Sequence, residues 1–511
     1  MEEIVMPRPR ELNEVDEVGE EEGAAFEIDS LDLKLPCRVF DVSYQVADSG
    51  TFSLTTEFLL RLLKAVDDLT EAEVATFFGF SPGETAHVIG AAERKGYVLR
   101  SEGRVRLTEA GDALFDKAQD TPALYEVQRK SGYFSFDLVS FCPIRREYLS
   151  EFARKLPELP LPDPELAANA SKEVTEAFRK HFREIQVMEG GPAAERITLY
   201  SIDHVVGQTR SAALVPVSIK VRRDTIGTVE PDLLGWRSGV DLQNRIAVLG
   251  SCGALLREYN VQAEFAASGD GAAYLHECAP RYIERFFKGD RFDAAALFRR
   301  ASRLVGDLRK DRKTTCIYGT LWTKRNFAKI VSALQYVPEG ADEKLSPLVW
   351  LRPSIDSWGC SSKLPDLVES LATDPEFADI KYQIGTVLIA NDDRESSWRF
   401  SDVFDVVTTL QEKKTPQNFE MLLIPQRVFA ALVYVPLSDG EGYPIPMGIV
   451  SFDPAFLSAA HELMADIVAD GQPTTRDTRN RGQNLAEALA GALKFSERQT
   501  EEIPTENGAI P

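Results

Sequence analysis

At 511 residues the chain exceeds one average domain, so two to four are expected. Hydrophobic content of 44% and charged content of 27% describe an ordinary globular protein, and no run of about 18 or more apolar residues predicts a membrane span. A net charge of −22 argues against broad electrostatic binding to nucleic acid or anionic lipid, although a basic patch on one domain is compatible with it.

Residues 1–34 are read as a disordered acidic tail. Over residues 1–36, twelve acids face three bases, a net of −9, which leaves −13 on the remainder. The opening MEEIVMPRPRELNEVDEVGEEEG lacks the apolar core of a secretory signal, and a cytoplasmic location is the expectation.

Order is expected from LPCRVFDVSYQV, a strand beginning near Leu35, and residues 35–122 read as one compact domain. In Leu54–Val66, the residues Phe58, Leu59, Leu62, Leu63 and Val66 predict one apolar helix face. Thr70-Glu71-Ala72-Glu73 and Ser81-Pro82-Gly83-Glu84 have capping-box spacing and open two further helices, the second ending at Gly96. Tyr97–Arg100 and Arg104–Leu107 read as short strands about Ser101-Glu102-Gly103, and Thr108 starts a closing helix.

That order, with the run GYVLRSEGRVRLTEAGDALF, resembles a winged helix-turn-helix over about Thr51–Ala118. The resemblance implies duplex DNA as a candidate partner, with His87, Arg94 and Lys95 on the third helix and Arg100, Arg104 and Arg106 on the wing as contacts. Against it, Phe52–Lys117 holds eleven acids and eight bases, a net of −3. A protein partner is the alternative use of such a domain.

Residues 123–340 read as a mixed α/β region. Expected there are a hairpin about Ser131-Gly132, an amphipathic helix over Lys172–Val187, and strands over Ile197–Val206 and Ala212–Val221. A helix over Ile246–Tyr259, strand-like VQAEFAAS and AAYLHEC, a helix over Asp293–Leu308 and a strand over Thr315–Leu321 follow. Residues 341–470 alternate strands and helices, predicting a mainly parallel sheet covered on both faces. The strands expected are Leu348–Leu351, Tyr382–Ala390, Phe419–Ile424, Phe429–Val435 and Gly448–Phe452, with helices over Lys363–Ala372, Phe400–Gln411 and Pro454–Val468. Residues 471–511 read as a mostly disordered tail. The fold class is therefore α/β, with an α+β N-terminal part.

The βαβαβββα order of residues 348–468 resembles one half of a phospholipase D-like phosphodiesterase core. That superfamily carries a His-x-Lys, an acid five residues on, and a Gly-Ser-x-Asn after six more. The same offsets here fall on Tyr434, Pro436, Glu441, Gly448 and Ser451. Tyr434 stands where the resemblance puts the nucleophile, and Pro436 supplies no positive charge for the phosphoryl oxygens. The resemblance implies a catalytically degenerate copy, and no His-x-Lys occurs elsewhere in the chain.

Four smaller signals complete the reading. His276-Glu277-Cys278 is the densest group of metal-ligand types, but no second pair completes a tetrahedral site, so no metal or cofactor is expected. The six cysteines form no CxxC pair. Gly250-Ser251-Cys252-Gly253 lacks the strand–turn–helix setting of a nucleophile elbow. Trp358–Lys363 lies between a strand and a helix, where backbone N–H groups would meet an anion. The function expected is a non-enzymatic nucleic-acid- or protein-binding subunit, with a phosphodiesterase or nuclease relative and a ligand-responsive transcription regulator as alternatives.

Overall fold

The computed structural model describes residues 25–48, 54–115, 126–190, 197–222, 228–233, 236, 242–262, 270–303, 308–336, 347–373, 385–391, 394–410, 416–438, 440–471 and 473–477. They belong to two compact units. The smaller holds Cys37–Arg146 and Asp163–Ser211, and the larger holds Met1–Pro36, Glu147–Pro162 and Ala212–Pro511.

In the smaller unit, residues from Cys37 onward complete strand β1 (Ala25–Asp48). Helix α1 (Leu54–Ala65) buries Leu59, Leu60 and Leu63. Its apolar stripe is turned from the expected one, because Phe58 and Val66 remain exposed. Strand β2 (Leu69–Thr70) leads into α2 (Glu71–Phe78), and α3 spans Pro82–Arg94. Both predicted capping boxes form. Thr70 and Ser81 each accept from the backbone N–H three residues on, while Glu73 and Glu84 reach back to the cap. Strands β3 (Val98–Ser101) and β4 (Arg104–Leu107) pair antiparallel, β2 joins the other edge of β4, and α4 (Glu109–Asp112) closes the group. Leu59, Leu63, Ile89, Ala92 and Val105 form its core.

β5 (Glu126–Asp137) pairs antiparallel with β1 from Cys37↔Asp137 to Asp48↔Glu126. The expected hairpin about Ser131-Gly132 is therefore one uninterrupted strand. Gly132 marks a close approach and not a turn, since a Cβ there would sit 2.8 Å from the Phe134 ring. The two strands expected over 197–221 are likewise one, β6 (Ile197–Arg222). The expected helix over Lys172–Val187 is broken at His181 into Ser171–Lys180 and Phe182–Met188. Phe178 and Phe182 of this pair pack on Tyr44 and on each other.

In the larger unit, β7 (Val229–Asp232) pairs with Ser218–Val221 of β6, and β8 (Phe287–Lys288) pairs with β9 (Arg291–Phe292). An eight-stranded sheet organises the rest. Its strands are β10 (Thr314–Tyr318), β11 (Leu348–Leu351), β12 (Thr386–Asn391), β13 (Val406–Leu410), β14 (Phe419–Ile424), β15 (Val428–Val435), β16 (Ile445–Ser451) and β17 (Pro473–Asp477). They are ordered β10-β16-β15-β14-β11-β12-β13-β17.

The α/β class holds, but the sheet is mixed where a mainly parallel one was expected. Only β11–β12 and β12–β13 are parallel, and the other five pairings are antiparallel. Chain length explains two of these, because three residues separate β14 from β15 and nine separate β15 from β16, and a parallel return needs a crossover of about a dozen residues. Two other expectations change. AAYLHEC lies in helix Asp270–Cys278, with Ala272, Leu275 and Cys278 buried at three-residue spacing. The helix expected over Phe400–Gln411 is instead helix Arg394–Phe400 followed by β13, whose VVTTL run carries β-branched residues. Every residue of β14, β15 and β16 is buried, as both-face coverage requires.

Candidate functional site

Tyr434 is the second-last residue of the fully buried strand β15 and is 2% exposed. Its hydroxyl donates to Oε2 of Glu420 at 2.6 Å, from the neighbouring strand β14. The other carboxylate oxygen accepts the indole N–H groups of Trp350 (2.8 Å, β11) and Trp358 (2.9 Å). Glu420 is fully buried. Burial pushes its carboxyl up to about 7, although the three donors favour the charged form. Burial, then the Glu420 charge, holds the Tyr434 phenol well above its ordinary value.

A second acid lies within electrostatic reach of the same phenol. Asp29 of β1 accepts the Tyr443 hydroxyl (2.7 Å) and the Ser30 N–H (2.7 Å). Burial pushes it also to about 7. Asp29 was expected in the acidic tail, but residues 25–34 belong to β1, and Asp29, Ser30 and Asp32 are buried. The result is a buried polar centre of two carboxyl groups, each held by a tyrosine, beside Trp350 and Trp358 in edge-to-face contact.

The remaining offset positions do not converge on this centre. Pro436 is buried just beyond β15, whereas Glu441 is exposed and accepts from the Gln262 amide at 3.2 Å. Gly448 is imposed by strand packing, because a Cβ there would fall 1.9 Å from the Ala431 carbonyl oxygen. Ser451 is buried against the Thr314 hydroxyl at 2.7 Å. It pairs with Phe429, while Tyr434 pairs with Pro446. Five residues of strand, about 17 Å, thus separate the Tyr434 and Ser451 positions.

The smaller signals resolve into structure. Cys278 is buried with its sulfur 3.9 Å from that of Met421, while the His276 ring packs on Phe287. Two residues apart on a helix, they do not share a face. Among the described residues no three His, Cys, Asp or Glu side chains gather as a metal site. Cys252 lies inside helix Leu242–Glu258, where burial pushes its thiol up to about 12 and away from nucleophilic use. The helix N-terminus at Lys363 already meets an anion of this chain. Asp32 accepts both the backbone N–H and the hydroxyl of Ser362 at 2.6 Å.

In the smaller unit, His87, Arg94, Lys95, Arg100, Arg104 and Arg106 are all exposed. Arg100 and Arg104 are engaged within the chain. Arg100 pairs bidentately with Glu71, and Arg104 binds Asp68 through both side-chain carboxylate and backbone carbonyl. No family model matches this sequence, and no curated protein or solved structure was found similar to it. Among the described residues, no helix is long and apolar enough to cross a membrane. The sequence reading missed Glu420 and Asp29, yet a signal for Glu420 existed: an acid inside the apolar run FEMLLI needs buried partners.

Proposed function

We propose that this chain is a non-enzymatic nucleic-acid-binding subunit. In this reading a winged helix supplies the contact, and the eight-stranded sheet is a catalytically degenerate relative of a phospholipase D-like half-domain. One observation carries the non-enzymatic part: the side chain at the nucleophile's offset, Tyr434, is buried and commits its proton to Glu420. A nucleophile must reach phosphorus and needs an activating base or a lowered pKa, whereas this phenol is buried and shifted upward. The offset of the missing lysine is held by Pro436, which carries no charge.

For nucleic acid, the wing and third helix keep Arg94 and Arg106 exposed, which supports phosphate contact. The test is a mobility shift with duplex DNA at low salt. Arg94→Ala with Arg106→Ala should weaken the shift and flatten its log–log salt slope by about 0.9 for each phosphate no longer neutralised. Absence of any shift at low salt sinks the DNA reading. Hydrolysis of a phosphodiester reporter that vanishes in Tyr434→Phe would sink the non-enzymatic one.

A protein partner at the same domain is favoured by a separate observation. Leu54 and Phe77 are 67% and 66% exposed on α1 and α2, apolar side chains that a protein partner would cover. Phe77→Ser with no effect on the DNA shift, but loss of a copurifying protein, would support that use.

A further inference from the structure

Residues 281–325 of the larger unit hold thirteen Lys and Arg against five Asp and Glu, a net of +8 in a chain of −22. Eleven of these cations are exposed, including Arg285, Arg299, Arg300, Arg303, Arg309 and Lys310. Geometry gathers part of this set about helix Ala294–Arg303: Lys288 pairs with Asp293 at its start, and Arg325 donates to the Ala301 carbonyl within it. Arg285 and Arg300 both act electrostatically on the Cys316 thiol of β10, and Lys288 and Arg299 both act on Asp293.

The backbone also sets like charges against each other. Lys288 pairs across the β8–β9 ribbon with Arg291, and Arg309 forms a two-bond bridge with Arg312 about the turn at Lys310-Asp311. Like charges directly opposite on paired strands are destabilising, and this stretch carries two such pairs. Lys288 is partly compensated by Asp293 at 2.7 Å. An external polyanion would relieve the rest.

We propose that this basic face, formed by β8, β9, helix Ala294–Arg303 and the turn before β10, binds the phosphate backbone of nucleic acid without reading sequence. A single small anion needs two or three cations, whereas this many spread over one face match a polyanion carrying about one charge per 1.7 Å of duplex axis. Arg285 lies over the Tyr282 ring at 3.9 Å, an arginine–aromatic plate of the kind on which an unpaired base stacks. A lipid surface fits less well. The apolar side of helix Ala294–Arg303 (Leu297, Phe298, Ala301) is buried, so this helix presents no apolar stripe to insert. This surface extends the nucleic-acid part of the reading above to a second site and can fail separately from it.

The experiment measures full-chain binding to a labelled duplex and a labelled single strand at rising salt. It compares wild type with the fourfold variant Arg299→Gln, Arg303→Gln, Arg309→Gln, Lys310→Gln, and with the pair Arg94→Ala, Arg106→Ala. We expect the fourfold variant to lose at least tenfold in affinity at low salt. Its log–log salt slope should flatten by about 2–4, at ~0.9 per duplex phosphate and ~0.7 per single-strand phosphate no longer neutralised. Should that variant misfold, arginine-selective labelling of wild type decides: bound nucleic acid must shield Arg299, Arg303 and Arg309. Loss of binding in the Arg94/Arg106 pair alone, with the fourfold variant unchanged, overturns this proposal and leaves the winged-helix contact standing. The reverse pattern supports this face and sinks the winged-helix contact. Binding to phosphatidylserine vesicles with none to either nucleic acid also overturns it.

Discussion

Glu420→Gln should make the larger unit more stable at pH 8 than wild type, while leaving it nearly unchanged at pH 4.5. The sign follows from the direction of the shift. An ordinary Glu ionises near 4.5, and in the folded protein Glu420 does so near 7. Below about 4.5 both folded and unfolded chains hold the proton. As pH rises, the unfolded chain releases it first, so folding loses stability until the folded carboxyl also ionises. The gap of about 2.5 units corresponds to about 3 kcal/mol at 1.36 kcal/mol per unit. Glutamine keeps the contacts: its carbonyl oxygen can accept from Trp350 and Trp358, and its amide can donate to the Tyr434 oxygen. All five tryptophans (Trp236, Trp322, Trp350, Trp358, Trp398) lie in the larger unit, so urea unfolding followed by tryptophan fluorescence reports on it alone. The difference between variant and wild type should grow by about 2–3 kcal/mol from pH 4.5 to pH 8. A difference constant across that range would mean that Glu420 ionises normally, and the buried-acid account would be wrong.

Glu420→Ala should be destabilising at every pH, because three buried donors lose their acceptor at about 1–3 kcal/mol each; the same fluorescence titration reads it. Gly448→Ala should prevent stable folding of the larger unit, since its Cβ would overlap the Ala431 carbonyl oxygen; soluble protein with native tryptophan emission would contradict this. Asp32→Ala should destabilise by about 1–2 kcal/mol through loss of the cap on helix Lys363–Thr373, measured the same way. Deleting residues 2–22, which carry nine acids and two bases, should strengthen nucleic-acid binding to the larger unit at low salt and leave it unchanged at high salt. Shortly after that segment, the Phe26 ring packs on Tyr318, which in turn packs on Phe298 of the arginine-bearing helix.

Local signals were legible wherever one residue type had one job. The capping boxes at Thr70 and Ser81 marked two helix starts, and the continuous apolar runs placed β11 and β14 with their observed limits. What failed was long-range. Gly132 marks a close approach of the Phe134 ring, and a sequence alone does not separate that use from a turn. Asp29 and Asp32 were hidden inside a run of acids, where charge pattern suggests solvent. Their burial depends on partners 414 and 330 residues away, Tyr443 and Ser362. The basic stretch at 281–325 was masked for the opposite reason, being outweighed in the whole-chain total.

The polar centre also explains how a sheet with every residue of three adjacent strands buried can carry a glutamate at its middle. An isolated ionised carboxylate there would be very costly, and it persists because neutralisation and three aligned donors share the burden. Those donors come from β11, β15 and the loop at Trp358, so the site ties together elements that pair in both directions. A phosphodiester centre needs the opposite properties: open access, an activated nucleophile and a cation. Tyr434 is closed, its phenol is raised, and the nearest guanidinium on the Trp358 ring, that of Arg352, is itself buried and hydrogen-bonded to Pro353 and Ser396. The arrangement therefore supports a sheet whose central polar residues hold the fold.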